Sequence, residues 1–310
     1  MPTTTSITTT YAGEFSKKYI SAALLSATTI ENGGIEVMPN VKYKSVINRI
    51  ATDAIVKNAT CAFDPTSTVT ITERVITPEE FQVNLELCKK DFRSTWQSIE
   101  MGMSAFDTLP KSFADFLIGH VAAKVAEKNE TNIWRGATAN AGEFDGFVPL
   151  ATADATVIDV VGTTVTAANV ITELGKVVDA IPAALYGKED LYIYVSQNVA
   201  RAYVRALGGF GASGLGANGT NSMGTQWFNN GSLSFDGVKI FVANGLASNY
   251  MMAAQKSNLY FGTGLLSDQN EVKVIDMAEI DGSQNVRIVM RFTAAVQYGI
   301  GSEIVLYTPA

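Results

Sequence analysis

LPKSFADFLIGHVAAKVAEKNETNIWRG, residues 109–136, is the stretch from which the fold is read. Apolar residues recur at Ala114, Leu117, Ile118, Val121, Ala122, Val125, Ala126 and Ile133. That is the i, i+3, i+4, i+7 spacing of an amphipathic helix. Pro110 precedes it, and Ser112 with Asp115 has the spacing of a capping box. Gly136 stands where a helix ends on a left-handed residue. The pattern predicts a helix over 111–135, roughly 37 Å long at about 1.5 Å per residue. His120, the single histidine of the chain, bounds its apolar face, and no partner stands near it at triad or metal-ligand spacing.

Working outward toward the N-terminus, Thr68-Val69-Thr70-Ile71-Thr72 alternates strictly, the mark of a strand with one apolar face. Asp64–Ser67 is a turn by composition, so Val46–Ile76 reads as a long two-stranded ribbon. Such a ribbon is marginal in water by itself, so it is expected to lean on another subunit. Phe81–Leu87 alternates as a further strand, and Lys89–Met101 reads as a helix. Residues 13–30 suggest a short helix ended by the turn Glu31–Gly34. Residues 1–10, nearly all Thr, Ser and Pro, cannot bury enough surface to order alone, and form an arm that is disordered or laid on a partner.

Toward the C-terminus, Thr166–Leu185 carries a second helical stripe. Leu191-Tyr192-Ile193-Tyr194-Val195 is a buried strand, and Ser196 caps the helix QNVARAYVRAL after it. Gly208–Gly231 is a Gly/Asn/Ser-rich loop of the length that is functional, interfacial or disordered. Val238–Val242 and Asn258–Gly262 are strands, and two long strand patterns close the chain, Glu271–Ile280 and Asn285–Tyr307, the second interrupted near Gly299-Ile300-Gly301.

Composition narrows the function classes. The chain has 310 residues, 47% of them hydrophobic and only 17% charged. Charge below the usual quarter suits a surface covered by neighbours, and equally an extracellular or array-forming protein. A net charge of −7 argues against a dedicated nucleic-acid binder. Lys17, Lys18, Lys42, Lys44, Arg49 and Lys57 make the first 60 residues mildly basic, either a solvated surface or a face meeting acidic neighbours or packaged nucleic acid. The amino terminus lacks a signal-peptide pattern, and no apolar run approaches a membrane span. Cys61 and Cys88 show no metal-site spacing and read as two buried free thiols, with a disulfide as the alternative. Gly209–Gly214 and Gly214–Gly219 each match GxGxxG, but a helix precedes them where a dinucleotide site needs a strand. Asp107, Glu130 and Asp268 are scattered carboxylates, and GxSxG is absent. No catalytic, cofactor-binding or metal-binding residue is assigned, and the chain is not expected to be an enzyme.

The order of these parts resembles the major capsid proteins of tailed bacteriophages, which have the Hong Kong 97-like fold. The resemblance rests on the helix ending NIWRG with Gly146-Phe147-Val148 soon after, on Leu191–Gln197 leading into a helix, and on Gly237–Val242 followed by Leu259–Leu265. The strand pair within Val286–Tyr307 then looks like the return to the first domain. The resemblance implies an α+β chain divided into an N-terminal arm (1–45), an extended two-stranded loop (46–80), a peripheral domain (81–150) with spine helix 111–135, an axial α/β domain (151–268) and closing strands of the peripheral domain (269–310). It also implies a structural protein of the virion capsid, assembled in the host cytoplasm. Hexamers and pentamers would form an icosahedral shell around double-stranded DNA held without sequence specificity. Scaffold, portal and cement proteins would be partners, and no membrane.

Two features depart from the family. No long, charged, helical scaffolding segment opens the chain, so it is either mature or served by a separate scaffold. Lys57 and several Asn are present, but no residue match supports Lys–Asn cross-linking. The expected contact segments are the arm (Thr3–Phe15), the ribbon around Asp64–Thr68 and the loop Gly208–Asn230. Two other readings stand beside this one: an encapsulin-like compartment enclosing protein cargo, and a secreted array-forming surface protein.

Overall fold

The computed structural model describes residues 28–41, 43–52, 55–59, 61, 68–92, 111–207, 233–264, 273–278 and 280–310. The arm Thr3–Phe15, the loop Gly208–Asn230, the Ser112–Asp115 capping box, Asp107 and Asp268 lie outside the described residues or side chains, as does most of the turn Asp64–Thr68.

Thirteen strands and six helices are described. A short helix α1 (Thr28–Glu31) leads through Gly33, at φ +62°, into strand β1 (Glu36–Met38). Among the described residues, strands β2 (Ser45–Thr52) and β3 (Val69–Ile76) pair only with each other, antiparallel. This is the ribbon expected from the alternation of Thr68–Thr72. Strand β4 (Glu79–Cys88), helix α2 (Lys89–Phe92), helix α3 (Lys111–Arg135) and helix α4 (Phe147–Ala153) follow. Then come β5 (Ile158–Gly162), α5 (Val170–Asp179), β6 (Leu191–Val195) and α6 (Gln197–Leu207). The remaining strands are β7 (Ser234–Phe235), β8 (Val238–Val242), β9 (Met251–Gln255), β10 (Leu259–Gly262), β11 (Lys273–Asp276), β12 (Asn285–Tyr298) and β13 (Val305–Pro309).

A five-stranded sheet is built on β12, whose 14 residues bond to β4, β10 and β11, with β1 parallel to β10. Along β12, Val286, Ile288, Met290, Phe292 and Ala294 are buried while Arg287 and Arg291 are exposed, the period of two that a half-covered sheet requires. Leu117 and Val121 of α3 pack on Ile288, so the long helix lies against this sheet.

A six-stranded sheet runs β5-β13-β9-β6-β8-β7. Its central strands are covered on both faces, which is why LYIYV is apolar throughout. Leu191, Ile193 and Val195 face α5 and α6, packing with Leu174, Val177, Val199 and Tyr203. Tyr194, Met252 and Leu306 face the other way, into a core shared with Ile133 and Trp134 of α3, Phe147 of α4 and Phe261 of the first sheet. The Trp134 ring lies 5.1 Å from Tyr194 and 5.6 Å from Phe147. One apolar core therefore joins both sheets through the C-terminal turns of α3.

Three details differ from the sequence reading. Gly136 does not take a positive φ. Its constraint is space, because a Cβ there would collide with the Phe144 carbonyl oxygen and stand 2.9 Å from the Asn132 Cα. The stripe Thr166–Leu185 is helical only over Val170–Asp179. Asn169 Oδ1 accepts from the Thr166 N–H (2.7 Å) and hydroxyl (3.0 Å), folding the start into a turn, and Pro182 follows the end. The stretch Asn285–Tyr307 is divided between sheets: β12 stays in the first, and β13 enters the second beside β5 and β9. Asn258 holds that crossing, its Oδ1 accepting from Gly299 N–H (3.1 Å) and Ile300 N–H (2.8 Å).

Candidate functional site

The ribbon is the feature that the body of the molecule leaves least covered. In its register, Val46 stands opposite Val75, Ile50 opposite Ile71 and Thr52 opposite Val69, so these side chains share one face. Val46, Ile50, Val69, Ile71 and Val75 are all exposed, Ile50 to 69% and Ile71 to 66%. Single exposed apolar residues are ordinary on a soluble protein, whereas a stripe of five on one face marks a surface made to be covered. Tyr43, Ile55 and Val56 are exposed beside it.

The opposite face of the ribbon roots it. Ile76 is buried against Val41 and Ala295. Arg74, two residues further out, is ion-paired with Asp154 at the end of α4, and its guanidinium lies 4.5 Å from the Tyr298 ring centre. The Tyr298 hydroxyl donates to Asp154 Oδ2 (2.9 Å), while the Thr156 N–H (2.9 Å) and hydroxyl (2.7 Å) donate to Oδ1. Burial works to raise the Asp154 carboxyl, but these donors and Arg74 outweigh it and hold it well below the usual carboxylate range.

A second apolar surface is a groove of ≈ 430 Å³ between α3 and the β4–β12 pair, floored by Phe81, Val83, Val121, Val125 and Phe292. Lys124 and Lys128 stand at its edge, paired with Glu127 and Glu143. His120 is half-buried and also lines it.

A buried polar node was missed in the sequence, where Glu130 was one carboxylate among several. Glu130 Oε1 accepts from the Thr29 hydroxyl (2.6 Å) and Gly245 N–H (3.3 Å), and Oε2 from the Thr29 N–H (3.0 Å). The Thr29 hydroxyl accepts from Trp134 Nε1 (2.8 Å). Burial pushes the Glu130 carboxyl above its ordinary value despite those three donors. The node ties α1, α3 and the turn after β8 together, and local sequence carries no signal for partners about a hundred residues apart.

Among the described residues, no group of three or more His, Cys, Asp or Glu is placed to hold a metal ion. No described helix is long and apolar enough to cross a membrane. Cys61 and Cys88 are both free thiols. Neither is buried as expected: Cys61 is exposed, because it lies in the outer segment between β2 and β3, and Cys88 at the end of β4 is half-buried.

No protein-family model and no curated protein matches the chain. Solved structures do, over nearly its full length. A chain from the capsid of an empty GTA particle superposes with a TM-score of 0.62 at 12% identity, covering 99% of this chain and 95% of that one. The fold is that of tailed-phage major capsid proteins. A chain of Mycobacterium phage Che8 gives 0.59 at 10% identity, with 98% of both chains covered. A chain of Gordonia phage Cozz gives 0.62 at 12%, covering 94% and 89%. The α+β capsid fold thus spans both sheets, the ribbon and the long helix together, as the order of elements implied.

Proposed function

We propose that this chain is a major capsid protein. Copies assemble into hexamers and pentamers of an icosahedral shell that encloses the double-stranded DNA of a tailed phage. The observation that carries this reading is the correspondence of the whole chain, with no large segment left over, to a chain taken from an assembled capsid. The exposed face of β2–β3 supports it independently: a stripe of five aliphatic side chains is costly to leave in water, and a neighbouring copy removes it from water at every site of a closed lattice. The apolar groove beside α3 offers a covered seat for such a contact.

The chain's acidity fits a shell that meets DNA loosely rather than by sequence. Scaffold, portal and cement proteins are the further partners of this reading, and host cytoplasm the place of assembly. The arm (residues 1–45), extended loop (46–80), peripheral domain (81–150 and 269–310) and axial domain (151–268) are its proposed divisions, with the exchange that β10 lies in the first sheet and β13 in the second. Expression of the full chain followed by negative-stain imaging and nucleic-acid quantification tests it. Closed shells that take up DNA with a phage packaging apparatus support the reading. Closed shells that enclose protein and exclude nucleic acid would transfer it to an encapsulin-like compartment.

A further inference from the structure

The ribbon meets the body over only its first rungs. Ser45 opposite Ile76, Val46 opposite Val75 and Ile47 opposite Arg74 form the root. Beyond them Asn48–Ile50, Thr52 and Val69–Glu73 are all exposed, with only Ala51 half-buried. The five residues beyond Ile47, as far as Thr52, carry the ribbon about 17 Å past its last anchored rung at ~3.4 Å per residue. Its direction is therefore set at the root, and Arg74 occupies the outermost rung of that root.

We propose that Arg74 is a positioning residue, a latch held by Asp154 and Tyr298 that fixes the angle at which the ribbon leaves the body. The proposal rests on the shell reading for its consequence, since a neighbour can be met only if the ribbon points correctly. Three observations carry it. The Asp154 carboxylate is held by groups other than Arg74 as well, with Thr156 bonding Oδ1 through two hydrogen bonds and Tyr298 donating to Oδ2. The Arg74 guanidinium meets both that carboxylate and the face of the Tyr298 ring, so its plane as well as its position is fixed. Finally, Gly301 leaves room for the assembly: a Cβ there would collide with the Thr156 hydroxyl and stand 2.8 Å from Asp154 Oδ2 and 3.3 Å from the Arg74 guanidinium. Gly301 has no positive φ, so this space explains the glycine where backbone conformation does not.

The latch ties the ribbon to α4 and adds to the contact that β3 already makes with β12 through Ile76 and Ala295. Asp154 caps α4, and Tyr298 ends β12 where the chain crosses to the second sheet. A change of ribbon angle is thereby tied to the junction between the two sheets.

The test measures ribbon direction in the dispersed full chain. With Cys61→Ser and Cys88→Ser as background, spin labels at Thr52→Cys and Thr172→Cys report the distance from ribbon to α5 by double electron–electron resonance. The intact latch should give one narrow distance. Arg74→Gln and, independently, Gly301→Ala should broaden it or displace it by about 3 Å, the travel that a tilt of about 10° gives a 17 Å arm. Arg74→Lys, which keeps the charge but not the planar group stacked on Tyr298, should fall between the parent and Arg74→Gln. A distribution unchanged in Arg74→Gln would overturn the latch. A broadened one with parental particle yield would overturn its role in assembly. If the parent itself forms no particles, the shell reading fails, and the distance measurement still decides the latch.

Discussion

At Glu130 one carboxyl group accepts hydrogen bonds from two elements and, through Thr29, reaches Trp134. Thr29→Val removes the hydroxyl that serves both. It leaves the Trp134 N–H without an acceptor and should cost about 1–3 kcal/mol, read from urea unfolding of the dispersed subunit. The raised Glu130 carboxyl sets a pH dependence with a definite sign. The folded state holds this proton more tightly than the unfolded state, so the stability it contributes is fully present below the ordinary Glu range. That stability is lost as pH rises through the raised folded value. Glu130→Gln should flatten that fall in a series of urea midpoints taken upward from pH 4, and an unchanged slope would contradict it. Gly245 belongs to the same node, because a Cβ there would strike the Glu130 carbonyl oxygen. None of this was legible locally: Thr29, Glu130 and Gly245 are brought together only by the packing of three distant elements. Gly136 teaches the same point, being needed for close approach where the sequence suggested a left-handed cap.

At the scale of elements, periodicity was the readable signal. The 25-residue helix α3, the strand β6 and the helix α6 stand where their patterns predicted. β4 also alternates as expected, because one of its faces packs under α3 and the other does not. The helix at 166–185 was overread because Asn169 and Pro182 compete with a hydrophobic stripe that continues past both. The two faces of the ribbon separate stability from assembly. Ile50→Asp or Ile71→Asp alters an exposed side chain and should move subunit stability by no more than about 0.5 kcal/mol. The same changes should abolish or sharply reduce particle yield, measured by sedimentation. Equal loss of stability and yield would mean that the exposed stripe packs within the subunit. In the core the expectation reverses: Ile288→Ala, fully buried between β12 and α3, should cost about 2–5 kcal/mol whatever happens to assembly.

For the whole molecule, the order of elements was more informative than any motif. At 10–12% identity to the three superposed chains, hardly any residue-level signature survives, yet the fold is shared over 94–99% of this chain. What order could not show was the interleaving: β10 belongs to the first sheet although it follows five strands of the second, and β13 returns to the second. That exchange threads the chain back and forth across one shared core, so the two layers are expected to unfold together rather than as independent units. The most direct test of the shell reading is imaging of the purified full chain over a range of salt concentrations. The account predicts closed, regular particles with five-fold and six-fold clusters of subunits. A monodisperse monomer at every salt concentration would contradict it.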